Sequence, residues 1–501
     1  MNNVIEAIDY LNKNILWDKY MPAAIIFVGL MFTVITRFFQ FVHVRHWLSN
    51  TVCSLFGKKS KSRSRSDSKS ISQFQSLCTA LGATVGTGNI AGVSSAIVYG
   101  GPGAVFWMWA AAFLSMMTVY AENVLGIYFR RKNASGSWCG GAMYYLRDGV
   151  GSRSALKNLG AALAALYAIF TVLSSFCMGN LVQANTISVN LESVFNVDKK
   201  LKAVLLSSVT AIAVIGGIGS VASFAEKLVP FMVIMYISSS VYIIACSGDK
   251  ALRSFGAIFK FAFGMRSFKG AAVGLGVRQA VSWGIRRGIF SNEAGLGSSA
   301  CVGSSSDVKE PVRQGMWGIF AVFTDTIVIC TLTALVVLSS GFIDLENGTV
   351  NISAVDSSLV TEAFNAVFGR FGGIFMSTAI FMFAFSTVLG WSCYGLKSWE
   401  YLFGSASCVI YKIIYVLTVY FGCVIPTAET YNIWVLSDTF NAFMAVPNLI
   451  GLVLLSGVVS KVTRNYCERY FCGIFKQPML SAFDMCQRIP DEKVTRFKFV
   501  R

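Results

Sequence analysis

Apolar runs of bilayer length recur along almost the whole chain of 501 residues. A helix needs about 20 mostly apolar residues to cross the hydrocarbon core of a membrane. Hydrophobic residues make up 54% of the sequence and charged residues only 13%, which is far from the composition of a soluble domain. We therefore predict an all-α integral membrane protein, with the clearest spans at residues 21–36, 104–128, 161–182, 201–218, 228–245, 317–338, 374–391, 408–424 and 434–459.

Two further segments, near 76–99 and 272–299, are apolar but interrupted by glycines. With them the chain reaches about eleven transmembrane helices, and no room is left for a separate soluble domain. The N-terminal region lacks the basic, apolar and small-residue pattern of a cleavable signal peptide, so we interpret 21–36 as a retained first span.

Basic residues predict the orientation. The run GKKSKSRSRSDSKS at 57–70 follows the first span and contains one acidic residue. Lys and Arg are enriched in cytoplasmic loops, which predicts a multi-pass protein of the plasma (inner) membrane with the N-terminus outside and the C-terminus in the cytoplasm. The segment 247–270 disagrees, because it carries five basic residues on the predicted outer side. Their alternation with Phe favours an amphipathic surface helix.

Several classes of protein are disfavoured by composition. The formal net charge of +17 largely reflects the basic loops, and the basic run lacks the context of a nucleic-acid-binding segment. The thirteen cysteines form no CxxC pair, and there are only two histidines, so neither a metal site nor a disulfide framework is expected. HExxH, GxSxG and Walker A motifs are absent. We therefore predict that the protein is not an enzyme, has no cofactor and has no nucleic-acid partner.

The stretch LGATVGTGNIAGV at 81–93 places four glycines, two threonines and an asparagine in an apolar segment. Non-helical backbone at membrane depth persists only where it is buried in protein or lines a cavity. An interrupted helix offers N–H groups that suit a carboxylate and carbonyl groups that suit a cation. The alternative, glycines that only allow close helix packing, does not account for Thr84, Thr87 and Asn89.

A second interrupted segment, GIFSNEAGLGSSACVG at 288–303, lies in the other half of the chain. Its NEAG sequence is similar to the NIAG sequence of the first segment. Paired broken helices at corresponding positions of two halves indicate an inverted-repeat transporter with a site near the membrane midplane. The predicted parts are the N-terminal helix and basic loop, the first five-helix repeat, the second repeat with its preceding surface loop, and a cytoplasmic tail, at 1–72, 73–247, 248–461 and 462–501.

Four stretches resemble the alanine or glycine:cation symporters, also called sodium:alanine symporters: GTGNIAGV at 86–93, GGPGAVFWMW at 100–109, RGIFSNEAGLGSSA at 287–300 and TVLGWSCYG at 387–395. The resemblance covers about 73–461. It implies a leucine-transporter-type fold of two inverted five-helix repeats plus one extra N-terminal helix, which agrees with the number of spans above. The sequence departs from the family at Ala142 and Leu396, where Pro and Glu are usual.

The resemblance implies that the first, third, sixth and eighth core helices surround the substrate. The carboxylate of a small amino acid would meet the Asn89 side chain and the backbone N–H groups of Gly86, Thr87, Gly88 and Asn89. In the third core helix, Asn180 and Gln183 stand one helical turn apart and would point into the same cavity. The alternative is that these two amides form hydrogen bonds between helices.

On the eighth core helix, Thr387 and Trp391 are four residues apart and share one face. The resemblance makes them pocket residues. The Trp391 indole would face Gly179 and leave space for a methyl group but little more. On the sequence alone, a tryptophan in a span is more often a packing residue or an interface anchor.

A coupling sodium ion needs oxygen ligands, which this fold usually supplies from the broken first core helix and the eighth core helix. The candidates are the carbonyl groups of Thr84, Val85 and Gly88 and the hydroxyl groups of Ser386 or Thr387. Glu122, Glu293 and Asp325 are carboxylates in or near the predicted spans. Placing an ionisable side chain in a membrane costs free energy, so such residues usually have a function. They either hold the interrupted backbone or make proton coupling an alternative to sodium.

These observations predict a secondary active symporter that imports a small neutral amino acid, alanine or glycine, with sodium by alternating access. A proton-coupled amino-acid carrier is the alternative within transport. A passive channel or a membrane receptor is the alternative from another class, but neither a continuous polar pore nor a signalling domain is evident in the sequence.

Overall fold

Helices make up nearly all of the structure. The computed structural model describes residues 2–56, 70–133, 136–195, 198–264, 273–346, 356–426, 430–472, 479–481 and 494–496. Within these ranges, eight helices are long and apolar enough to cross a membrane, or nine if a bent helix pair forms one span. The helical membrane architecture is confirmed, whereas the prediction of about eleven spans stays a prediction. All of the basic run at 57–70 except Ser70 lies outside the described residues.

The N-terminal region forms one long helical segment followed by short helices. A π-helical stretch, Asn12–Tyr20, joins the first two helices. Pro22 stands in the first turn of the second helix, and a proline has no backbone N–H to donate. The helices are α1 Asn2–Leu11, α2 Met21–Ile35, α3 Phe39–Val42, α4 Val44–Asn50 and α5 Val52–Phe56.

The first half of the core begins with an interrupted helix. Its two parts, Gln73–Thr84 and Thr87–Gly100, are bent by 59°, and we call residues 85–90 the first break. A π-helical turn, Cys177–Leu181, interrupts a later span. The elements are α6 Gln73–Thr84, α7 Ala91–Gly100, α8 Ala104–Tyr128, the antiparallel pair β1 Arg131–Lys132 and β2 Trp138–Cys139, α9 Ala142–Tyr144, α10 Lys157–Phe176, α11 Val182–Phe195, α12 Lys199–Ile215 and α13 Gly217–Cys246.

The second half also contains an interrupted helix, at residues 293–297, which we call the second break. A π-helical stretch, Phe323–Cys330, lies within the following span. The elements are α14 Asp249–Phe263, α15 Val273–Asn292, α16 Ser298–Gly303, α17 Pro311–Val322, α18 Thr331–Ser339, α19 Asp356–Phe368, α20 Arg370–Phe403, α21 Cys408–Val424, α22 Thr430–Leu454, α23 Ser456–Phe471 and the parallel pair β3 Met479–Ser481 and β4 Val494–Arg496.

The interrupted helices lie at the centre of the helix packing. α7 packs on α15, α6 packs on α13 and α20, and α8 runs along both α15 and α17. Around them, α10 contacts α20 and α22, while α12 contacts α21. Both breaks are therefore enclosed by protein, which is the condition for interrupted backbone at membrane depth.

The segment after α13 forms the expected surface helix. Leu252, Phe255 and Phe263 of α14 are exposed, whereas Ala257 and Ile258 are buried. The amphipathic helix predicted for 247–270 is thus present over Asp249–Phe263, and 265–272 lies outside the described residues.

The last long apolar run differs from its predicted extent. The span predicted at 434–459 ends with α22 at Leu454, and α23 starts at Ser456. Leu455 between them has φ −99° and ψ 6°, so the chain leaves the helical conformation there. The guanidinium of Arg469 on α23 donates to Glu310 at 2.7 Å, which holds α23 beside the start of α17. Hydropathy did not reveal this division because both sides of Leu455 are apolar.

The GGPG motif explains how α14 packs against α8. A Cβ placed on Gly103 would lie 2.4 Å from the backbone carbonyl of Phe261 in α14. A backbone atom cannot move aside as easily as a flexible side chain, and overpacking of this kind typically costs about 1–3 kcal/mol. Glycine at 103 is therefore required by the close approach of the two helices.

We predict that Gly103→Ala lowers the melting temperature of the purified protein in detergent, because α14 must separate from α8. The matched control is Gly256→Ala in α14, where an added Cβ has no atom within 4 Å. Alanine in a helix interior is favoured over glycine by about 1 kcal/mol, so this control should be neutral or stabilising. Equal melting temperatures for the two variants would contradict the prediction.

Candidate functional site

The first break is held open by a side chain. Val85 and Gly86 leave the helical conformation, and a single 3-10 turn, Thr87–Asn89, leads into α7. Asn89 Oδ1 accepts the N–H of Gly86 at 2.9 Å. On the other side, a Cβ placed on Gly86 would lie 2.6 Å from Thr387 Oγ1 of α20. The break is thus positioned by Asn89 and packed directly against α20.

Two N–H groups of the first break have no acceptor among the described residues. Thr87 and Gly88 begin the turn into α7, and no carbonyl or side chain in the described part of the chain accepts their backbone hydrogens. Thr87 is only 4% exposed. N–H groups at the start of a helix carry partial positive charge and attract carboxylates. These two groups are the part of the site that suits an anion.

The second break is held by a carboxylate. It follows Asn292, and Glu293, Gly295 and Gly297 have φ values of 55°, 87° and 72°. Glu122 Oε1 on α8 accepts the N–H groups of Gly295 and Gly297, each at 3.0 Å. A buried side chain therefore replaces the helical carbonyl acceptors that the break removes.

Asn448 completes the support of the second break from α22. Its Nδ2 donates to Glu122 Oε1 and to the Gly295 carbonyl, both at 2.8 Å. The Tyr145 hydroxyl donates to Asn448 Oδ1. This network joins α8, α22 and the interrupted backbone into one unit.

Asp325 connects the two breaks. It lies fully buried in the π-helical stretch between α17 and α18. Its Oδ1 accepts a hydrogen bond from Asn89 Nδ2 at 2.7 Å, and its Oδ2 accepts one from Ser291 Oγ at 2.7 Å. Asn89 belongs to the first break and Ser291 to the end of α15, so a single carboxylate fixes the two interrupted helices relative to each other.

The amides predicted on the third core helix turn towards different neighbours. Thr87 Oγ1 donates to Gln183 Oε1 at 3.3 Å, so Gln183 faces the first break. Asn180 Nδ2 donates to the Tyr415 carbonyl on α21 at 2.8 Å, and its Oδ1 is buried with no partner among the described residues. This differs from the shared cavity expected for both amides. Asn180 lies in the π-helical turn Cys177–Leu181, where the i, i+3 geometry of a regular α-helix does not apply.

Trp391 is fully buried between this turn and the second break. A Cβ placed on Gly179 would lie 2.2 Å from Trp391 Cβ, so only glycine permits the contact. The indole Nε1 donates to Glu293 Oε1 at 2.8 Å. Gly179 and Trp391 therefore meet, and Glu293 contacts the same indole.

The hydroxyl groups predicted for a cation site lie at the end of α6. Ser386 Oγ and Thr387 Oγ1 donate to the Gly82 carbonyl at 3.0 and 3.2 Å. Thr84 and Val85 follow within the next turn of the chain. The C-terminal end of a helix carries partial negative charge, so this region offers oxygen atoms suited to a cation.

Gly88, the remaining candidate ligand, faces a different helix. A Cβ placed there would lie 3.5 Å from the Phe290 ring and 3.6 Å from Ser291 Cα on α15. Ser291 was not predicted as a site residue, and neither was Asn448. The available signals were a serine inside the second glycine-broken motif and an asparagine next to Pro447 in an apolar span.

Contacts between helices lie on both sides of the two breaks. The N-terminal side of α6 is joined to the segment after α16 by a bridge between Ile71 and Ser306. Arg130, which is buried, donates to the Ser306 carbonyl at 2.6 Å. Towards the other end, Arg286 on α15 lies 3.5 Å from Asp438 on α22.

Known proteins are similar to this chain over almost its whole length. The model of the sodium:alanine symporter family matches residues 1–478. The sodium/alanine symporter AgcS of Methanococcus maripaludis is 39% identical over 456 residues, covering 91% of this chain and 96% of AgcS. The amino-acid carrier protein AlsT of Bacillus subtilis is 30% identical over 497 residues, covering 98% of this chain and 99% of AlsT.

A solved structure supports the fold. The crystal structure of MhsT in complex with L-phenylalanine aligns with a TM-score of 0.51 and 15% sequence identity, covering 78% of this chain and 90% of MhsT. The predicted leucine-transporter-type fold is confirmed by this match. The family match likewise points away from an enzyme. This multi-pass membrane protein belongs to the sodium:alanine symporter family and is a cation-coupled amino-acid symporter.

Proposed function

We propose that the protein imports alanine or glycine together with sodium. The observation that carries this proposal is the pair of N–H groups at Thr87 and Gly88 in the first break, which have no acceptor in the described part of the chain, together with a pocket wall made by Trp391. The first feature suits the carboxylate that every amino acid carries, and the second limits the size of the side chain. The name of the Methanococcus maripaludis relative, a sodium/alanine symporter, agrees with this choice.

The carboxylate is received by the backbone of the first break. Asn89 acts through its neighbours in this proposal, because its oxygen already accepts from Gly86 and its nitrogen donates to Asp325. It keeps the N–H groups of Thr87 and Gly88 directed at the carboxylate. Gln183, which bonds to Thr87, lies beside the same groups. The Asn180 amide nitrogen is taken by α21, but its buried Oδ1 has no partner among the described residues and is a candidate acceptor for the substrate ammonium.

The size limit comes from Trp391. Its indole is held against Gly179 on one side and bonded to Glu293 on the other. Thr387 lies one turn earlier on the same face of α20, against Gly86. A closely packed wall of this kind accepts hydrogen or methyl at the substrate α-carbon, whereas larger side chains overlap the indole.

Sodium is assigned to the end of α6. The hydroxyl groups of Ser386 and Thr387 meet the helix-end carbonyls there, and the carbonyls of Thr84 and Val85 are candidate ligands at the same end. Gly88 completes the predicted ligand set from the far side of the break. Oxygen-only donors of this type match the preference of hard cations.

Alternating access would use the contacts on the two sides of the breaks. In the proposed orientation, with the N-terminus outside and the C-terminus in the cytoplasm of the inner membrane, the Ile71–Ser306 bridge lies on the cytoplasmic side and the Arg286–Asp438 pair on the outer side. Opening one end while the other stays closed would move substrate and ion together across the membrane.

Proton coupling is the alternative ion choice. It is motivated by three fully or almost fully buried carboxylates near the breaks, Glu122, Glu293 and Asp325. Each of them already accepts hydrogen bonds that hold protein groups in place. This structural use favours sodium as the coupling ion.

Removing the Asn89 side chain should weaken substrate binding. Asn89→Ala deletes the acceptor for Gly86 and a donor to Asp325, and the loss of buried hydrogen-bond partners costs about 1–3 kcal/mol, or roughly a five- to 150-fold rise in the half-saturating alanine concentration. The measurement is alanine uptake into proteoliposomes. The control is Asn185→Ala, which removes a buried amide that bonds the end of α21 and should leave half-saturation unchanged. Near-normal half-saturation in the Asn89 variant would remove Asn89 from the site.

Sodium and alanine should stabilise the protein cooperatively. A ligand present at a hundredfold excess over its Kd stabilises the folded state by about 2.7 kcal/mol. We expect each ligand to raise the melting temperature and the two together to raise it by more than the sum. The measurement is thermal unfolding in detergent with sodium replaced by choline as the control. Equal stabilisation by alanine in both salts at neutral pH would favour proton coupling instead.

Opening the Trp391 wall should change selectivity. Trp391→Ala removes an apolar contact to alanine and makes space for larger side chains, so alanine should bind more weakly and valine and leucine relatively better. The expected change in relative affinity is about five- to 150-fold, the equivalent of about 1–3 kcal/mol of overpacking. Competition of unlabelled alanine, valine and leucine against labelled alanine measures it. An unchanged order of competition would make Trp391 a packing residue.

A further inference from the structure

Glu293 occupies a backbone position that disfavours it. Its φ of 55° lies in the left-handed region, where only two other non-glycine residues of the described chain are found, Arg37 and Phe38. Glycine or asparagine usually takes this position after a helix, because a Cβ is strained there. A glutamate at such a position indicates that its side chain has a use.

Both carboxylate oxygens of Glu293 are engaged. Oε1 accepts the indole N–H of Trp391 at 2.8 Å, and Oε2 accepts the Ser298 hydroxyl at 2.8 Å. Glu293 is 3% exposed and Trp391 fully buried. A buried indole N–H needs an acceptor, and this carboxylate is the one that the described structure provides.

The contacts of Trp391 divide into two sets. Gly179 packs against Cβ and Cγ, with the ideal glycine Cβ position 2.2 and 2.4 Å from them, so the start of the side chain is fixed. Tyr394 makes an edge contact with the ring at a centroid distance of 5.4 Å. The hydrogen bond to Glu293 holds the far end of the indole, at Nε1. Without it, packing alone determines the rotation of the ring.

We propose that Glu293 is a specificity-determining positioning residue, which holds the Trp391 indole in the orientation that excludes large amino-acid side chains. This inference rests on the proposed function, because it takes Trp391 as the wall of the substrate pocket. Glu293 does not touch the substrate. It determines how much space the substrate side chain has by restraining the residue that does.

The position of Glu293 ties this restraint to the second break. Glu293 is the first residue of the break, and Ser298, which holds its other oxygen, is the first residue of α16. The indole is therefore anchored to both edges of the interrupted backbone. Any rearrangement of the break that moves the carboxylate also moves the limit on substrate size.

Two substitutions of similar volume separate the hydrogen bond from the packing. Glu293→Gln keeps an oxygen acceptor for the indole N–H, and its amide can donate to Ser298. Glu293→Leu fills the same space without any acceptor. If Glu293 only supported the break by filling space, the two variants would have the same selectivity.

The readout is the ratio of the half-inhibitory concentrations of valine and alanine against labelled alanine uptake in proteoliposomes. We expect Glu293→Leu to lower this ratio at least about fivefold, towards that of Trp391→Ala, and Glu293→Gln to keep it within about twofold of the native value. A native ratio in the Leu variant, or an equal loss in the Gln variant, would overturn the proposal.

A third variant, Glu293→Asp, tests the proposal if Glu293→Leu does not fold. Glu293→Asp keeps the carboxylate but withdraws it from the indole by one methylene, so it should also lower the ratio. A native ratio in a folded Asp variant would count against the proposal. Asn185→Ala, which removes a buried amide that bonds the end of α21, is the control for the general loss of a buried polar side chain and should leave the ratio unchanged.

A double mutant tests whether Glu293 acts through Trp391. In the Trp391→Phe background the indole N–H is absent, so adding Glu293→Leu should change the ratio no further. Additive effects would show that Glu293 acts without Trp391. Failure of the proposed function can be distinguished from failure of this inference. If Trp391→Ala leaves the native order of competition unchanged, the pocket wall itself is misplaced. If Trp391→Ala relaxes the order but Glu293→Leu keeps the native ratio, only the role of Glu293 is refuted.

Discussion

Buried side chains replace helical hydrogen bonds at both interrupted helices, and the arrangement of the site depends on this replacement. Hydrocarbon offers neither donors nor acceptors, so every N–H and C=O released by a break needs a partner from the protein or from a ligand. Asn89 supplies the partner for Gly86 in the first break, and Glu122 supplies it for Gly295 and Gly297 in the second. Among the described residues, the N–H groups of Thr87 and Gly88 keep no acceptor, and such groups suit a small charged molecule.

The breaks are also connected to each other. Asp325 bonds to Asn89 on one side and to Ser291 on the other, so the two repeats share one buried carboxylate. It belongs to a π-helical stretch, and a π-helical turn likewise carries Asn180 beside the site. Such turns occur often at functional sites, because they redirect side chains without ending the helix. The candidate site is thus surrounded by elements whose regular hydrogen bonding is altered in several places at once.

Much of the fold could be predicted from local sequence. Apolar runs of bilayer length predict helices because hydropathy is a property of each segment alone, and clustered glycines predict the two breaks for the same reason. The contact between Gly179 and Trp391 could be expected from the family resemblance. The direction of the Asn180 amide could not, because it depends on a π-helical turn and on the Tyr415 carbonyl of a distant helix. The role of Asn448 could not be predicted either, because its partner Glu122 is more than 300 residues away in the chain.

The sequence by itself determined that the chain enters a membrane as helices, that two of these helices are interrupted, and that the interruptions carry polar groups. These properties follow from composition and from backbone preferences within short segments. The tertiary structure alone decided which carboxylate serves which break, which N–H groups remain unpaired and which residue restrains Trp391. Those outcomes depend on distances of about 3 Å between atoms on different helices, and no local pattern specifies how helices that are remote in sequence will meet.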